Sequence, residues 1–547
     1  MAPSNTQGDA IERVDTSRSA APGTEILYDL ATKGSEGHGA LAYLQHVQTG
    51  DGHLLLVPQP SLTDPNDPLR WSGVKKQATF LNALGYSFLG GVTGPIMTGW
   101  VVEAAAFYGT SVQNISYTIG ATLICQGVAT TLWMPFAVKY GRRPVYLLST
   151  FLMALACIWL GVASTTTYTS FLLGRAFLGI FEAPIESIVP STATDIFFLH
   201  NRGSKVSLYG LSVLGGNELG PMLSALIIQS LGMNWTFYIV AIFIFGNFVT
   251  EFFFMPETLY VGSRPEVKFH DSEDEHHKEV ATHVEVTEET AHPTPQKTFV
   301  RDLSFWSTND RTVSLWRVFI KPFALLAYPT VVWSSFMYGL AISWNAIMAC
   351  TNGQLFAPPP YSFSPAAVGL IFGSPLIGSL IGTLLCGPMA DAIANYFTKR
   401  NNGIREPEMR LPTCIVAAVL TFVGALISGL CFHYETHWIG PIFGYGVLSI
   451  GGQMGATLGM SYSLDCHKEL SVELMVTVAS LKSAVAWIWT WVVNDWLVRD
   501  GPLVVFLVVA AVNMAVYAST ILFWYRGKAI RIWLHERHPS PSSSPSS

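Results

Sequence analysis

The sequence predicts an all-α membrane protein with twelve transmembrane helices in two six-helix halves. Half of the 547 residues are hydrophobic and only 12% are charged, whereas soluble domains have about 25% charged residues. Twelve apolar runs are each long enough to cross about 30 Å of hydrocarbon, which takes roughly 20 residues. A polar stretch at about 257–321 separates six of these runs from the other six.

We number the runs spans 1 to 12. They lie at about 79–102, 114–137, 144–164, 170–193, 207–230, 236–256, 323–349, 366–389, 412–432, 438–460, 473–496 and 503–525. The chain then divides into a polar N-terminal tail, a six-helix bundle, an acidic linker, a second six-helix bundle and a short C-terminal tail, at 1–76, 77–256, 257–321, 322–525 and 526–547.

The linker contains DSEDEHHKEVATHVEVTEETAHPTPQK, which is rich in acid and histidine and has no apolar period. We expect it to be disordered and cytoplasmic, because it cannot bury enough apolar surface to offset the entropy of ordering. Its histidines are a weak metal signal, and a solvated run of charge is the expected state. The net charge of −6 is largely accounted for by this stretch, so nucleic acid is not an expected partner.

Lysine and arginine are concentrated on one side of the predicted membrane. If the N-terminus is inside, the outer loops hold Arg499 alone, and fourteen basic residues lie in the inner loops and C-terminal tail: Lys139, Arg142, Arg143, Arg202, Lys205, Lys399, Arg400, Arg405, Arg410, Lys468, Arg526, Lys528, Arg531 and Arg537. This asymmetry predicts that both termini are cytoplasmic. Plasma membrane is expected from the class alone. Two glycosylation sequons, at Asn114 and Asn234, then fall outside.

Span 4 reads FLLGRAFLGIFEAPIESIVP and carries three ionisable side chains. Arg175, Glu182 and Glu186 are spaced by seven and four, which places them on one face of a helix. Each charge at bilayer depth costs at least about 2.5–3.5 kcal/mol, so this face is expected to line the protein interior or a wet cavity. Glu218 in span 5 is a plausible neighbour. Two interpretations stay open: a buried ion pair that fixes helix packing, or proton and substrate handling by Glu182 and Glu186 jointly.

Other polar and aromatic residues in the spans are candidate cavity walls. The set is Asn82, Tyr86 and Gln126 in the first half and Trp333, Tyr338, Trp344, Asn345, Gln453 and Lys482 in the second. Lys482 either faces the cavity or extends to the cytoplasmic edge. The tryptophans of WIWTWVVNDW in span 11 are expected to form an interfacial belt, with cavity stacking as the alternative.

Small residues in span 5 indicate close helix packing. Gly216 and Gly220 form GxxxG, and Pro221, Ser224 and Ala225 follow. Small residues at this spacing allow helices to approach closely, and proline bends a helix.

These motifs resemble those of the major facilitator superfamily. LLGRAFLGIFEA resembles the family's fourth-helix motif, and Gly216, Gly220 and Pro221 resemble the antiporter motif of the drug:proton antiporters. MPFAVKYGRR keeps part of the family's GxxxDRxGRR loop, and GPMAD keeps part of its second copy; the matching or corresponding residues are Lys139, Gly141, Arg142, Arg143, Gly387 and Asp391. The resemblance implies that they form a cytoplasmic gate. DPLRW and PETLY resemble fungal members of this group.

The resemblance implies a proton-coupled secondary transporter that works by alternating access of the two halves. Export of a secondary metabolite, toxin or drug is favoured by the span 5 pattern. Proton-coupled uptake of a nutrient, cation or polyamine is the alternative, and a sensor with a transporter's fold is a more remote one. No nucleophile or metal-ligand set indicates an enzyme. The expected partners are a small molecule and the lipid bilayer, with the proton gradient in place of any cofactor and a monomer as the working unit.

Overall fold

The computed structural model describes residues 60–61, 64–262, 297–306, 310, 313–401, 404–467 and 470–537. It also includes three short antiparallel pairs of β-strands: Glu25–Ile26 with Ile404–Arg405, His46–Thr49 with Gly52–Leu55, and Phe269–His270 with His283–Val284. Most of the predicted acidic linker and of the predicted N-terminal tail lies outside the described residues, as do residues 538–547 of the predicted C-terminal tail.

The helices of the first half follow the predicted spans. Span 1 is Gly73–Thr93, continued by a 3₁₀ turn at Thr98–Trp100 and the helix Val101–Tyr108. Span 4 is divided in two. The remaining elements of this half are the 3₁₀ turn Pro68–Arg70 and the helices Val112–Lys139, Arg142–Ala163, Tyr168–Glu182, Ile185–Ile196, Leu199–Leu231 and Met233–Phe254.

The second half is preceded by two short helices from the predicted linker, Phe299–Asp302 and Leu315–Ala324. Spans 11 and 12 lie within Ser471–Arg537 as two helices that meet at Gly501, where the backbone is not helical (φ 80°, ψ 165°). The elements of this half are the 3₁₀ turns Leu325–Ala327 and Pro407–Thr413 and the helices Pro329–Phe356, Pro365–Leu370, Gly373–Arg400, Cys414–His433, Ile439–Cys466 and Ser471–Arg537.

Eight helical segments in the described part of the chain are both long and apolar enough to cross a membrane. One of them, Glu473–Leu534, contains both span 11 and span 12. Spans 1, 4 and 10 are also helical but are more polar or interrupted. The all-helical fold with twelve spans is therefore confirmed.

Side-chain caps begin several of the helices. Ser72, Ser111 and Thr167 each accept a hydrogen bond from a backbone N–H three residues later. This satisfies a donor that the first helical turn leaves unpaired.

The two halves meet along two seams, span 2 against span 11 and span 5 against span 8. Because the number of spans is even, spans 1 and 12 carry the two ends of the chain to the same end of the bundle. We call this the terminal end, and the opposite one the distal end.

The helix Leu315–Ala324 corrects the expectation of a disordered linker up to residue 321. Val318 is buried in a cluster with Met134 of span 2 and Val476 of span 11. The Thr477 hydroxyl donates to the Pro322 carbonyl at 2.9 Å. Burial of one apolar face against both halves makes this segment helical, whereas the acidic composition of the linker as a whole obscured that face.

Candidate functional site

A cavity lies between the two halves, and its empty space of about 830 Å³ includes open solvent at its mouth. Spans 1, 2, 4 and 5 line it from the first half, and spans 7 and 11 line it from the second. Four charged side chains face it: Arg175, Glu182, Glu186 and Lys482. The amides of Gln126, Asn217 and Asn345 add neutral polar groups, so the cavity offers charges of both signs together with hydrogen-bonding groups.

Span 4 is interrupted where it lines this cavity. Its first helix ends at Glu182 and its second begins at Ile185, on either side of Ala183 and Pro184. The predicted continuous helix is therefore wrong, because proline cannot donate a backbone hydrogen bond and disrupts the helix. The three predicted charges nevertheless line one cavity.

Lys482 and Glu186 form an ion pair across the two halves. Lys482 Nζ lies 2.5 Å from Glu186 Oε1, and both side chains are buried. The Tyr209 hydroxyl donates to Glu186 Oε2 at 3.2 Å, and Lys482 Nζ lies 4.8 Å from the centre of the Tyr338 ring. Lys482 therefore points inward, and the alternative of an extended side chain at the membrane edge is wrong.

Arg175 caps the end of span 1 in place of pairing closely with an acid. Its guanidinium donates to the carbonyls of Thr93 and Gly94, each at 2.7 Å. The helix ends there before Pro95, so these carbonyls lack helical partners, and a cation at a helix C-terminus is favourable. The Thr93 hydroxyl donates to Glu182 Oε2 at 2.5 Å. Arg175 and Glu182 are thus both held by the same turn.

Two predicted wall residues of span 1 lie away from the cavity. Asn82 Nδ2 donates to the Ala78 carbonyl of its own helix at 2.8 Å. Tyr86 is fully buried within the first half, where its hydroxyl lies 2.7 Å from Ser149 Oγ and its ring packs edge-on against Tyr146. Both interpretations are corrected, because an inward helix face meets either a cavity or another helix, and periodicity does not distinguish them.

Most of the aromatic and amide residues predicted to line the cavity from the second half are instead packed in the protein core. Trp344 is buried with its ring 5.8 Å from that of Phe506, and Trp333 packs against Tyr462. Gln453 lies beside Gly382 at the contact of spans 8 and 10. Asn345 and Gln126 do line the cavity.

Glu218 also lies outside the cavity. It is fully buried and accepts a hydrogen bond from Ser379 Oγ at 2.8 Å, between spans 5 and 8. The span 5 glycines are explained by packing. A Cβ on Gly216 would lie 2.3 Å from the Phe88 carbonyl oxygen, and a Cβ on Gly220 would lie 3.0 Å from Val92 Cα. Spans 1 and 5 therefore touch backbone to backbone.

The predicted gate of the first half is held by a carboxylate after span 6. Glu257 accepts from the backbone N–H groups of Arg142 and Arg143, at 2.9 and 3.2 Å. Burial raises the pKa of Glu257, although these donors act in the opposite direction. Gly141 is required here, since its φ is +98° and a Cβ would lie 2.1 Å from Glu257 Oε2. The Lys139 carbonyl accepts from the Asp310 N–H at 2.9 Å.

The two arginines of this gate have different partners. Arg142 pairs with Asp195 at 2.8 Å, between the start of span 3 and the end of span 4. The Arg143 guanidinium instead donates to backbone carbonyls, among them Phe252 at 2.8 Å and Leu303 at 3.2 Å. Arg143 thus ties the end of span 6 to the linker.

The second half contains an ion pair that corresponds to the Arg142–Asp195 pair of the first half. Arg410, before span 9, lies 2.6 Å from Asp465 at the end of span 10 and 3.0 Å from Asp391. A Cβ on Gly387 would meet no atom within 4 Å. The role of either cluster as a gate stays a prediction.

Sequence reasoning missed the polar contacts that close the distal end. Gln113 Nε2 donates to the Thr490 carbonyl at 2.7 Å, and its Oε1 accepts from the Asn494 N–H at 3.1 Å. Asn494 Nδ2 also donates to Ser116 Oγ at 2.5 Å. These residues join spans 2 and 11. In the sequence, these contacts are indicated only by an amide side chain near the same end of each span. Such amides are too common in membrane helices to predict a contact.

Asn114 and Asn234 each lie in the first turn of a helix and are partly exposed. Glycosylation at both stays a prediction. Among the described residues, no group of three or more histidine, cysteine or acidic side chains is placed to hold a metal ion.

Comparison with known proteins agrees with this architecture. Residues 78–464 match the family model described as Major Facilitator Superfamily. An uncharacterized MFS-type transporter of Schizosaccharomyces pombe is 25% identical, covering 94% of each chain. Protein HOL1 of Saccharomyces cerevisiae is 24% identical, covering 94% of this chain and 95% of the relative.

Solved structures share the fold. The proton:xylose symporter XylE of E. coli superposes with a TM-score of 0.54 at 13% identity, over 83% of this chain and 97% of the symporter. The family match covers most of the chain and its relatives are transporters, so small molecules are the class of substrate. This chain therefore belongs to the Major Facilitator Superfamily, as an integral multi-pass membrane transporter of the fungal type rather than an enzyme.

Proposed function

We propose that this protein is a proton-coupled transporter that exports a small polar organic compound by alternating access. The observation that carries the proposal is the ion pair between Lys482 and Glu186, which joins the two halves across the cavity. Rocking of the halves separates these residues. A buried charge left without its partner costs several kcal/mol, so separation is favoured when a proton neutralises Glu186 or a charged substrate replaces one partner.

The lining of the cavity supports a polar, charged substrate. Its described residues include two acids, two bases and the amides of Gln126, Asn217 and Asn345, and none of them is aromatic. Flat aromatic compounds gain much of their binding energy from aromatic side chains. We therefore favour the charged, hydrophilic members of the class of secondary metabolites and toxins.

The proposal includes export against proton entry at the plasma membrane, with both termini cytoplasmic and a monomer as the working unit. The basic residues at the terminal end support the orientation. The antiporter-like pattern of Gly216, Gly220 and Pro221 supports export. The proton gradient is the energy source, and no cofactor is invoked.

The test compares cells that lack the protein with cells that express the wild type or Glu186→Gln, by untargeted mass spectrometry of separated cell and medium fractions. We expect one compound to accumulate inside cells lacking the protein and to be depleted from their medium. Glu186→Gln should behave like the absence of the protein, and a protonophore should reproduce this effect in wild-type cells.

Glu103→Gln is the matched control, because Glu103 is exposed and lies outside the cavity. It should export like the wild type at equal amounts of protein in the membrane. A compound left behind in the medium of cells lacking the protein would reverse the direction and indicate a proton symporter. No difference in any compound would contradict transport and favour a sensor.

A further inference from the structure

The seam between spans 5 and 8 brings the backbones of the two halves into contact. A Cβ on Gly369 would lie 2.6 Å from the Pro221 carbonyl oxygen, so these segments leave no room for a side chain. Toward the terminal end, Ser379 and Glu218 form the innermost hydrogen bond between spans 5 and 8 that the described residues show. Glu218 thus lies at the terminal-side limit of the hydrogen bonds that join spans 5 and 8 in the described residues.

Glu218 has a carboxylate oxygen without a partner. Its side chain is 0% exposed, Oε1 accepts from Ser379, and Oε2 has no hydrogen-bond partner. Among the described residues of spans 1, 4, 6, 8 and 10, no charged or titratable side chain acts on it. The acids of span 4, Glu182 and Glu186, face the cavity and have other partners.

An ionised carboxylate is very costly in such a place, since burial removes its water and nothing of opposite charge replaces it. In the closed seam the group is therefore a neutral acid. Once water reaches Glu218, that cost disappears. The protonation of Glu218 and the closure of the seam are thus linked.

We propose that Glu218 is a proton-binding site outside the substrate cavity, whose protonation holds the seam between spans 5 and 8 closed. The inference rests on the proposed alternating access, in which the distal part of this seam opens. Loss of the proton favours the open form. Linkage of a single proton lowers the ratio of closed to open protein by up to about tenfold per pH unit.

The test is a cross-link at the distal surface of the seam. Gln229 Oε1 and Ser364 Oγ lie 3.4 Å apart there, and both residues are exposed. The full chain with Gln229→Cys and Ser364→Cys is purified, and the rate of bismaleimide cross-linking is measured from pH 5 to pH 8 without substrate. The chain without these two substitutions measures the background from its seven free cysteines.

With Glu218 present, we expect the cross-linking rate to fall about tenfold or more over this range, relative to the same pair carrying Glu218→Gln. The glutamine keeps the shape and the hydrogen bond to Ser379 but cannot ionise. Glu218→Asp should restore the pH dependence. Glu103→Gln, which removes an exposed acid outside the cavity, should leave it unchanged.

The same pH dependence in the Glu218→Gln chain would overturn the proposal, as would its loss in the Glu103→Gln chain. The readout needs neither substrate nor a gradient, so it is independent of the proposed export. A pH-sensitive seam in a protein that moves no compound would contradict the proposed function alone. A pH-insensitive seam in a protein that exports normally would contradict the Glu218 site alone.

Discussion

Lys482 Nζ and Glu186 Oε1 lie 2.5 Å apart, although they belong to different halves and are separated by 296 residues in the chain. The pair is buried and has two aromatic neighbours, Tyr209 and Tyr338. An ion pair in this position stabilises one arrangement of the halves and must break in another.

Removal of one partner of this pair should cost more than removal of both. Lys482→Met leaves Glu186 buried and unpaired, and we expect the free energy of unfolding to fall by about 3–5 kcal/mol. The double variant with Glu186→Gln should recover most of this loss and still fail to export. Thermal unfolding of the purified protein and cellular export provide the two measurements. A double variant no more stable than Lys482→Met would contradict this interpretation of the pair.

Gly216→Ala should disturb the packing of spans 1 and 5. The added Cβ would lie 2.3 Å from the Phe88 carbonyl oxygen, so the helices must separate. Overpacking of this kind costs about 1–3 kcal/mol, and we expect lower thermal stability and slower export. Gly215→Ala is the control, because its Cβ meets only ordinary contacts at 3.7 Å. Equal effects of the two substitutions would show that backbone contact is not the reason for the glycine.

Arg531 neutralises two buried acids at the terminal end of the second half. It lies 2.7 Å from Glu406 and 2.8 Å from Glu408. Arg531→Met should destabilise the protein by about 3–5 kcal/mol, since both carboxylates lose this partner. Arg499→Met, at an exposed pair with Asp500, should leave stability almost unchanged, because solvent screens such a pair. Thermal unfolding compares the two, and similar melting temperatures would refute the prediction.

His467, in the loop after span 10, should make stability depend on pH. Burial lowers the pKa of His467 to about 4, and Arg531 acts in the same direction. The folded protein then keeps this ring neutral, whereas the unfolded chain binds a proton below its ordinary pKa of about 6.5. The free energy of unfolding should therefore fall as pH drops from 6.5 to 4, by up to about 3 kcal/mol.

His467→Gln removes this titration and can keep a hydrogen bond to Thr330, whose Oγ1 lies 2.7 Å from His467 Nε2. The difference in melting temperature between the wild type and this variant, measured from pH 7 to pH 4.5, isolates the histidine from the carboxylates. A difference that does not change with pH would contradict the prediction.

The charged side chains of the site were accessible to sequence reasoning, but their pairing was not. Arg175, Glu182, Glu186 and Lys482 stand out because charge is costly in an apolar span. That Lys482 pairs with Glu186, while Arg175 caps span 1, depends on how two distant helices are rotated toward each other.

Neutral residues were harder to assign. Tyr86 and Gln126 both interrupt apolar spans, yet Tyr86 packs within the first half and Gln126 lines the cavity. Both occupy inward faces of helices, and the helical period carries no information about whether that face meets a neighbour or a void. Glu218 differs from the cavity acids for the same reason.

The amino-acid sequence by itself determined the class of the protein, the number of spans and the presence of charge inside the bundle, because bilayer thickness and the cost of burying charge act on each segment separately. The tertiary structure alone decided which charges pair, which polar residues line the cavity and which acid is buried in the seam without an ionic partner. Those outcomes depend on close packing between segments far apart in the chain, and no local pattern encodes the rotation of one helix against another.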